Sequence, residues 1–432
     1  MNTPERAGIT IGAVLTAAVL PAAGLPAQAP LPGPAIARPA ITRPDIARPA
    51  TTLLAASLPT TTMAMQPAYS HRGARAARRA SVWRLAVVDH YGGPSNASGY
   101  SAVLAPGRHD AWVFGGTNPG AASRPVAEHW NGHGWRAVRL PAGLSSFISG
   151  ASASAPASLW AVSSFGGYAL RWDGASWSVA RRWQPGAAPA SIVAISRSDV
   201  WLFGVPGRGD SAGTWNYNGR SWARAAGPPV LRASAVSRRD IWAITAAPDG
   251  GLVEHWDGSA WKRVPTGSVL AGVQLDDVLG VSRYGVWIVG NSPAASPVGH
   301  VVLAHWNGRK WRRIEAPGRA LPRRLSADGS GGVWVTATTL GAQTQSRLLH
   351  LSCSGRWTQA DIAHGLGNAV SELALIPGTS SEWGSGGFLT QSGGDAAIWL
   401  YTAAGIPPPA SARGDAGLRL AAHLNPANCR CG

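Results

Sequence analysis

The chain has 432 residues, of which 45% are hydrophobic and only 14% charged, with 54 Gly and 33 Pro. So much Gly and Pro excludes an all-helical protein and a coiled coil, and 21 Trp exclude a wholly disordered chain. The formal net charge of +17 comes almost entirely from Arg scattered along the sequence, because Lys262 and Lys310 are the only lysines.

The first predicted element is a signal peptide over residues 1–29. Arg6 and the amino terminus give a weak positive region, Ile9–Leu20 an apolar stretch of 12 residues, and Ala27-Gln28-Ala29 a small-x-small cleavage pattern. A helix needs about 20 residues to cross a hydrocarbon core, so this segment is too short to span, and no later segment is apolar and long enough. Retention of the segment as an anchor is the alternative. Residues 30–80 carry short Arg-Pro units at Arg38-Pro39, Arg43-Pro44 and Arg48-Pro49, and end in the basic run Arg72–Arg79. They read as a disordered linker, since such a composition cannot bury a core. The mature protein is expected to be secreted or associated with the cell envelope.

Residues 81–405 repeat. An apolar run is followed by Asp-x-Trp or a degenerate form, seen at Asp110, Ser158, Asp199, Asp240, Gly285, Gly332 and Ser381, so there are seven copies. A second unit follows the first five, as Trp130-Asn131-Gly132-x-x-Trp135, Trp172-Asp173-Gly174-x-x-Trp177, Tyr217-Asn218-Gly219-x-x-Trp222, Trp256-Asp257-Gly258-x-x-Trp261 and Trp306-Asn307-Gly308-x-x-Trp311; the sixth is degraded to Ser352–Trp357. Asn-Gly and Asp-Gly between strand-like runs signal hairpins, expected here with positive φ at both turn positions. Each copy therefore holds four short strands, one propeller blade. The seventh copy ends at Ala397–Tyr401 without an outer strand, while Ser81–Leu85 resembles one. The prediction is an all-β, seven-bladed β-propeller whose last blade is completed by the N-terminal strand. Residues 406–432 form a C-terminal tail with two Cys.

The pattern Asp-Val-Trp-(apolar)-x-Gly, followed by His-Trp-Asp-Gly-x-x-Trp, resembles repeats of secreted bacterial propellers related to the kelch and galactose-oxidase-like group. The resemblance covers about residues 81–401. The chain departs from a kelch repeat in keeping the Gly-Gly doublet only at Gly115-Gly116, with single glycines at Gly204 and Gly290.

Most chemistry-bearing residues recur in register and so read as structural. His129, His255, His305 and, in the degraded sixth copy, His350 precede the third-strand Trp position, and Asp110, Asp199 and Asp240 are expected to accept backbone N–H bonds in the turn before the second strand. Ligands of propellers meet the face formed by the loops between second and third strands and between blades. Its residues that break the repeat are the candidates for ligand binding: Arg208, Asp210, Asp276, Asp277, His300, Asp361 and His364. Asp276-Asp277 opens the inner strand of blade five and lies nearest the channel. Cys353 is expected to bridge to Cys429 or Cys431, since a bridge between the last two would be strained.

No catalytic residue, metal site or cofactor is assigned. The expected function is an exported, non-catalytic binding or interaction scaffold, monomeric, with an extracellular protein or a cell-wall glycan as partner. Nucleic acid is excluded as a partner by the export signal and by the scatter of the charge. The alternative is a propeller enzyme, either a galactose-oxidase-like oxidase or a streptogramin-type lyase. The oxidase would need a Cys cross-linked to Tyr, yet Cys353 sits at an outer turn. The lyase would need His and Glu around a divalent metal.

Overall fold

The computed structural model describes residues 82–403, apart from 90, 92–96, 119–122, 184–188, 205–212, 248–249, 293–298, 340–344, 363–366 and 391–392. The predicted signal peptide, linker and tail lie outside these residues, as do Cys429 and Cys431. Cys353 is placed in the turn after the third strand of blade 6.

Seven blades of four antiparallel strands form a ring. The inner strands, from blade 1 to blade 7, are Ala97–Gly107, Gly150–Ala155, Pro189–Ser196, Arg232–Ser237, Gln274–Ser282, Leu321–Ala327 and Gly367–Leu375. Each packs against the inner strand of the next blade, and that of blade 7 packs against that of blade 1. The ring closes as predicted. Val82–Asp89 pairs antiparallel with Gly393–Thr402, with Trp83 opposite Tyr401 and Leu85 opposite Trp399, and so supplies the outer strand of blade 7.

The core lies between blades, because each sheet has two apolar faces and each must be covered by a neighbour. The Trp of the second strand meets the hairpin Trp residues of the following blade. Trp112 lies 5.0 Å from Trp172 and 5.7 Å from Trp177 by ring centroids, and Trp201 lies 5.1 Å from Trp256. Trp383 of blade 7 meets Trp130 and Trp135 of blade 1 in the same way. None of the 21 Trp is exposed. Trp183, outside the repeat, joins the core between blades 2 and 3, and the Arg181 guanidinium carbon lies 3.7 Å from the ring centroid of Trp215 there.

The outer hairpins differ from the expected two-residue turn. Trp130 pairs with Trp135, which leaves four residues in the loop, and positive φ falls only on the glycines, such as Gly132 at 92°. The Asn or Asp before each glycine instead accepts two backbone N–H bonds. Asn131 Oδ1 takes those of His133 and Gly134, and Asp257 Oδ1 those of Ser259 and Ala260. An Asx side chain closes a longer loop without leaving the right-handed region.

Candidate functional site

The repeated Asp and His residues are used within their own blades. Trp112 Nε1 and His129 Nε2 both donate to Asp110 Oδ1, at 3.0 and 2.8 Å, and the His129 ring stacks on Trp112. Trp242 and His255 repeat the arrangement on Asp240, at 2.7 and 2.9 Å. In blade 3 the histidine is replaced by Asn216, whose amide donates to Asp199 Oδ1 at 3.0 Å. Blade 6 has Gly332 in place of the aspartate, and Asp328 reaches His350 Nε2 at 2.8 Å from the preceding turn. The aspartates of Asp-x-Trp thus accept side-chain N–H bonds rather than the backbone bonds expected in the turn, because the Trp two residues on and the third-strand His lie on the same sheet face. Asp240→Ala leaves two donors without an acceptor. It is expected to destabilise the protein by about 1–3 kcal/mol in chemical denaturation, and an unchanged midpoint would refute this role.

The inner strands break the repeat through β-bulges. In blades 1, 3, 5, 6 and 7 one extra residue is inserted at the same register: Ser101, Ala190, Asp276, Arg323 and Ser371. In blades 2 and 4 the recorded ladder begins at this register, at Gly150 and Arg232. Three residues after the second-strand Trp, Gly115, Gly204, Gly290 and Gly386 stand in four of the bulged blades and Ala337 in the fifth. A Cβ on Gly115 or Gly386 would lie 1.9 Å from the carbonyl oxygen of Gly99 or Ala369 on the inner strand. The glycine lets the inner-strand backbone approach this closely. A bulge re-aims side chains at the rim of a ring.

Just past the bulge, the residues opposite the second position after each Trp form a ring of their own: Ala102, Gly150, Ser191, Arg232, Asp277, Arg324 and Glu372. Blades 1 to 3 contribute small side chains. Blades 4 to 7 contribute charges of alternating sign, and the bulges of blades 5 and 6 add Asp276 and Arg323. Part of this cluster joins adjacent blades. Asp277 Oδ2 accepts the Leu325 N–H at 2.8 Å, Glu372 Oε2 accepts the Val103 N–H at 3.1 Å, and Arg232 Nη1 donates to the Ala190 carbonyl at 2.6 Å. Ser152, Ser191 and Ser234 make the same kind of inter-blade bond elsewhere in the ring.

The electrostatics set this cluster apart. Arg232, Asp276, Arg324 and Glu372 keep some accessible surface but are enclosed on most sides. Burial pushes the Asp276 and Glu372 carboxyls up to about 7 against the pull of Arg324, and raises Asp277 as well. Burial and the neighbouring Arg324 lower Arg232 to about 10. Among the described residues no carboxylate lies within ion-pair distance of Arg232 or Arg324, whose Nη1 atoms donate to main-chain carbonyls. Asp276 makes no hydrogen bond to the described residues.

Of the predicted ligand-binding residues, the structure brings together Asp276 and Asp277 on the inner strand of blade 5. Asp277 is buried, 8% exposed, and tied to blade 6. His300 opens the third strand of the same blade, opposite Ser292 and Arg319, two strands farther out. Asp361 ends the outer strand of blade 6. Arg208, Asp210 and His364 lie outside the described residues. Sequence reasoning missed Arg232, Arg323, Arg324 and Glu372. The signal was present: each ring residue stands ten residues before the second-strand Trp, eleven in blade 7.

A separate polar chain lies between blades 7 and 1. Tyr91 donates to Glu128 Oε1 at 2.5 Å, Tyr100 donates to Asp89 Oδ2 at 2.8 Å, and the two phenol oxygens are 2.9 Å apart. Tyr91, Arg124, Val126, Val138, Leu140 and Leu144 border a cavity of about 490 Å³ beside it. Among the described residues, no group of three His, Cys, Asp or Glu side chains is placed to hold a metal ion.

No protein-family description matches the chain, and neither does any curated protein. Solved structures do. The WD40 propeller domain of Doa1 superimposes with a TM-score of 0.51 at 10% identity, covering 74% of this chain and 97% of that one. YCF48 bound to D1 peptide gives 0.50 at 14% identity, covering 76% and 96%. A catalytically inactive virginiamycin B lyase from Staphylococcus aureus with quinupristin gives 0.50 at 11% identity, covering 74% and 99%. The fold is that of a seven-bladed β-propeller. At these identities the likeness extends to the fold alone.

Proposed function

We propose that this chain is an exported, non-catalytic β-propeller that binds a segment of another extracellular protein at the inner rim of blades 4 to 7. The observation that carries the reading is the gathering of charged residues that break the repeat on four consecutive inner strands, with Arg232 and Arg324 making no ion pair among the described residues. The repeated Asp, His and Trp are committed to packing, so specificity falls to the residues that depart from the pattern. YCF48, one of the similar structures, was solved with a peptide, which supports a propeller of this shape as a peptide-binding scaffold. A cell-wall glycan is the second reading. It is disfavoured because sugar-stacking platforms need open aromatic faces, and no Trp is exposed. The divergent kelch-like relationship belongs to the same proposal and is supported by the doublet Gly115-Gly116; action as a monomer at the envelope or outside the cell belongs to it as well.

The test uses the full chain expressed with its own N-terminus. The exported protein is expected to begin near Ala29-Pro30 and to capture a secreted protein that Arg324→Ala does not capture, without stoichiometric metal. Stoichiometric copper or manganese would move the assignment to the oxidase or the lyase. Retention in the cytosol with Met1 intact would refute export.

A further inference from the structure

We propose that the inner rim of blades 4 to 6 is an oxyanion site, in which Arg232 and Arg324 hold a carboxylate or phosphate group beside Asp276. This deepens the reading above and rests on it for the location of the site.

Arg232 stands on blade 4, Asp276 and Asp277 on blade 5, and Arg323 and Arg324 on blade 6. Arg232 Nη1 donates to the carbonyls of Ala190 and Leu231, and Arg324 Nη1 to that of Arg323. The Nε and Nη2 donors of both guanidinium groups make no hydrogen bond to the described residues. A guanidinium fork with two open donors matches the two oxygens of a carboxylate or phosphate. Arg323 is placed differently, since its Nε donates to Thr338 Oγ1 at 2.9 Å.

The carboxylates do not neutralise these arginines at close range. Asp277 and Glu372 each direct one oxygen at a backbone N–H of the next blade. Asp276 is the residue added by the bulge and has no hydrogen bond to the described residues. Its oxygens and the open guanidinium donors of Arg232 and Arg324 are not sealed from solvent, so a group from outside the chain can reach them.

The charge balance selects an anion. Arg324, Asp277, Arg323 and Arg232 are the charged groups that act on Asp276. The arginines stay protonated at neutral pH. Burial holds Asp276 near 7, so lowering the pH below that value removes its charge and leaves the cluster positive. An oxyanion favours the protonated carboxyl, which can donate to it, over the charged one, which repels it. Binding therefore takes up a proton, and affinity rises as pH falls through about 7.

Calorimetric titration of the full chain tests this, with sulfate as a non-titrating stand-in for phosphate and acetate for a carboxylate, at pH 6 and pH 8. Wild type is expected to bind at least one of them about tenfold more tightly at pH 6, as a group that titrates near 7 implies. The anion that binds identifies the source. Asp276→Asn keeps the donor and removes the charge, so it should bind at pH 8 nearly as wild type does at pH 6, with most of the pH dependence lost and the remainder owed to Glu372, also near 7. Arg324→Gln and Arg232→Gln should each weaken binding by more than tenfold while melting as cooperatively as wild type. If one of them fails to fold, the other and Asp276→Asn decide. No binding of either anion would overturn the proposal, as would equal binding by the arginine variants or tighter binding of methylammonium at pH 8. Capture of the partner by wild type, uncompeted by either anion, would leave the scaffold reading standing and sink the oxyanion site.

Discussion

A protein cut at residue 90 is expected to melt far below one cut at residue 80. The shorter chain loses the outer strand of blade 7, Val82–Asp89. Trp83 contacts Trp334 at 5.6 Å and Tyr401 at 5.3 Å by ring centroids, and with Leu85 it covers the core around Trp399. Loss of the Trp alone costs about 3–5 kcal/mol. The strand Gly393–Thr402 would also become an unpaired edge, and Tyr100 would lose its acceptor, Asp89. Thermal melts of the two truncations decide the matter. Equal midpoints would mean that the ring does not depend on its closing strand.

The second large effect concerns Glu382, which is fully buried. Ser326 donates to its Oε2 at 2.8 Å, while Oε1 has no hydrogen-bond partner, and burial holds the carboxyl well above its ordinary range. In the unfolded chain this group titrates near 4.3. Between that value and its folded-state value the native protein binds the extra proton, so stability falls as pH rises through the window. Asp276 and Glu372, near 7, add a loss of the same sign between about pH 4 and 7. Buried His305, held below its usual value, acts oppositely below about pH 6.5. Glu382→Gln isolates the first contribution. It should be more stable than wild type at pH 8, by about 1–3 kcal/mol, and close to wild type at pH 5. A variant less stable than wild type at pH 8 would show that Glu382 is ionised and paired in the native state.

The blades were legible in the sequence because each is short, local and stamped with Trp at fixed intervals. The closing strand was legible because Ser81–Leu85 resembles the outer strands while Ala397–Tyr401 lacks one after it. The charged rim was harder to read. Arg232, Asp277, Arg324 and Glu372 share a register but no residue type, and their meaning comes from contacts between strands some 40 to 50 residues apart. The hairpin turns were misread in type, since Asn-Gly fits both a two-residue turn and the observed four-residue loop. Only the pairing of the flanking aromatics, Trp130 with Trp135, separates the two. The aspartate acceptors were misread because sequence adjacency points to turn amides, whereas the sheet puts an indole and an imidazole closer.

The pairing that completes blade 7 joins Val82 to Thr402, a separation of roughly 300 residues, in a molecule whose other blades are each assembled from neighbours. Contacts that distant in sequence are slow to form, because the closure entropy must be met before they stabilise anything. During synthesis at about 5–20 residues per second, Val82–Asp89 leaves the ribosome tens of seconds before its partner exists. Until then it is a bare strand carrying Val82, Trp83, Leu85, Val87 and Val88, with a single arginine, Arg84, to discourage pairing with another chain. The order of events is therefore imposed by topology. Blades 1 to 6 can condense one after another behind the ribosome, while the last blade waits for the chain's far end. In that interval two copies can exchange their first strands, so domain-swapped dimers are the misfolding product this architecture invites.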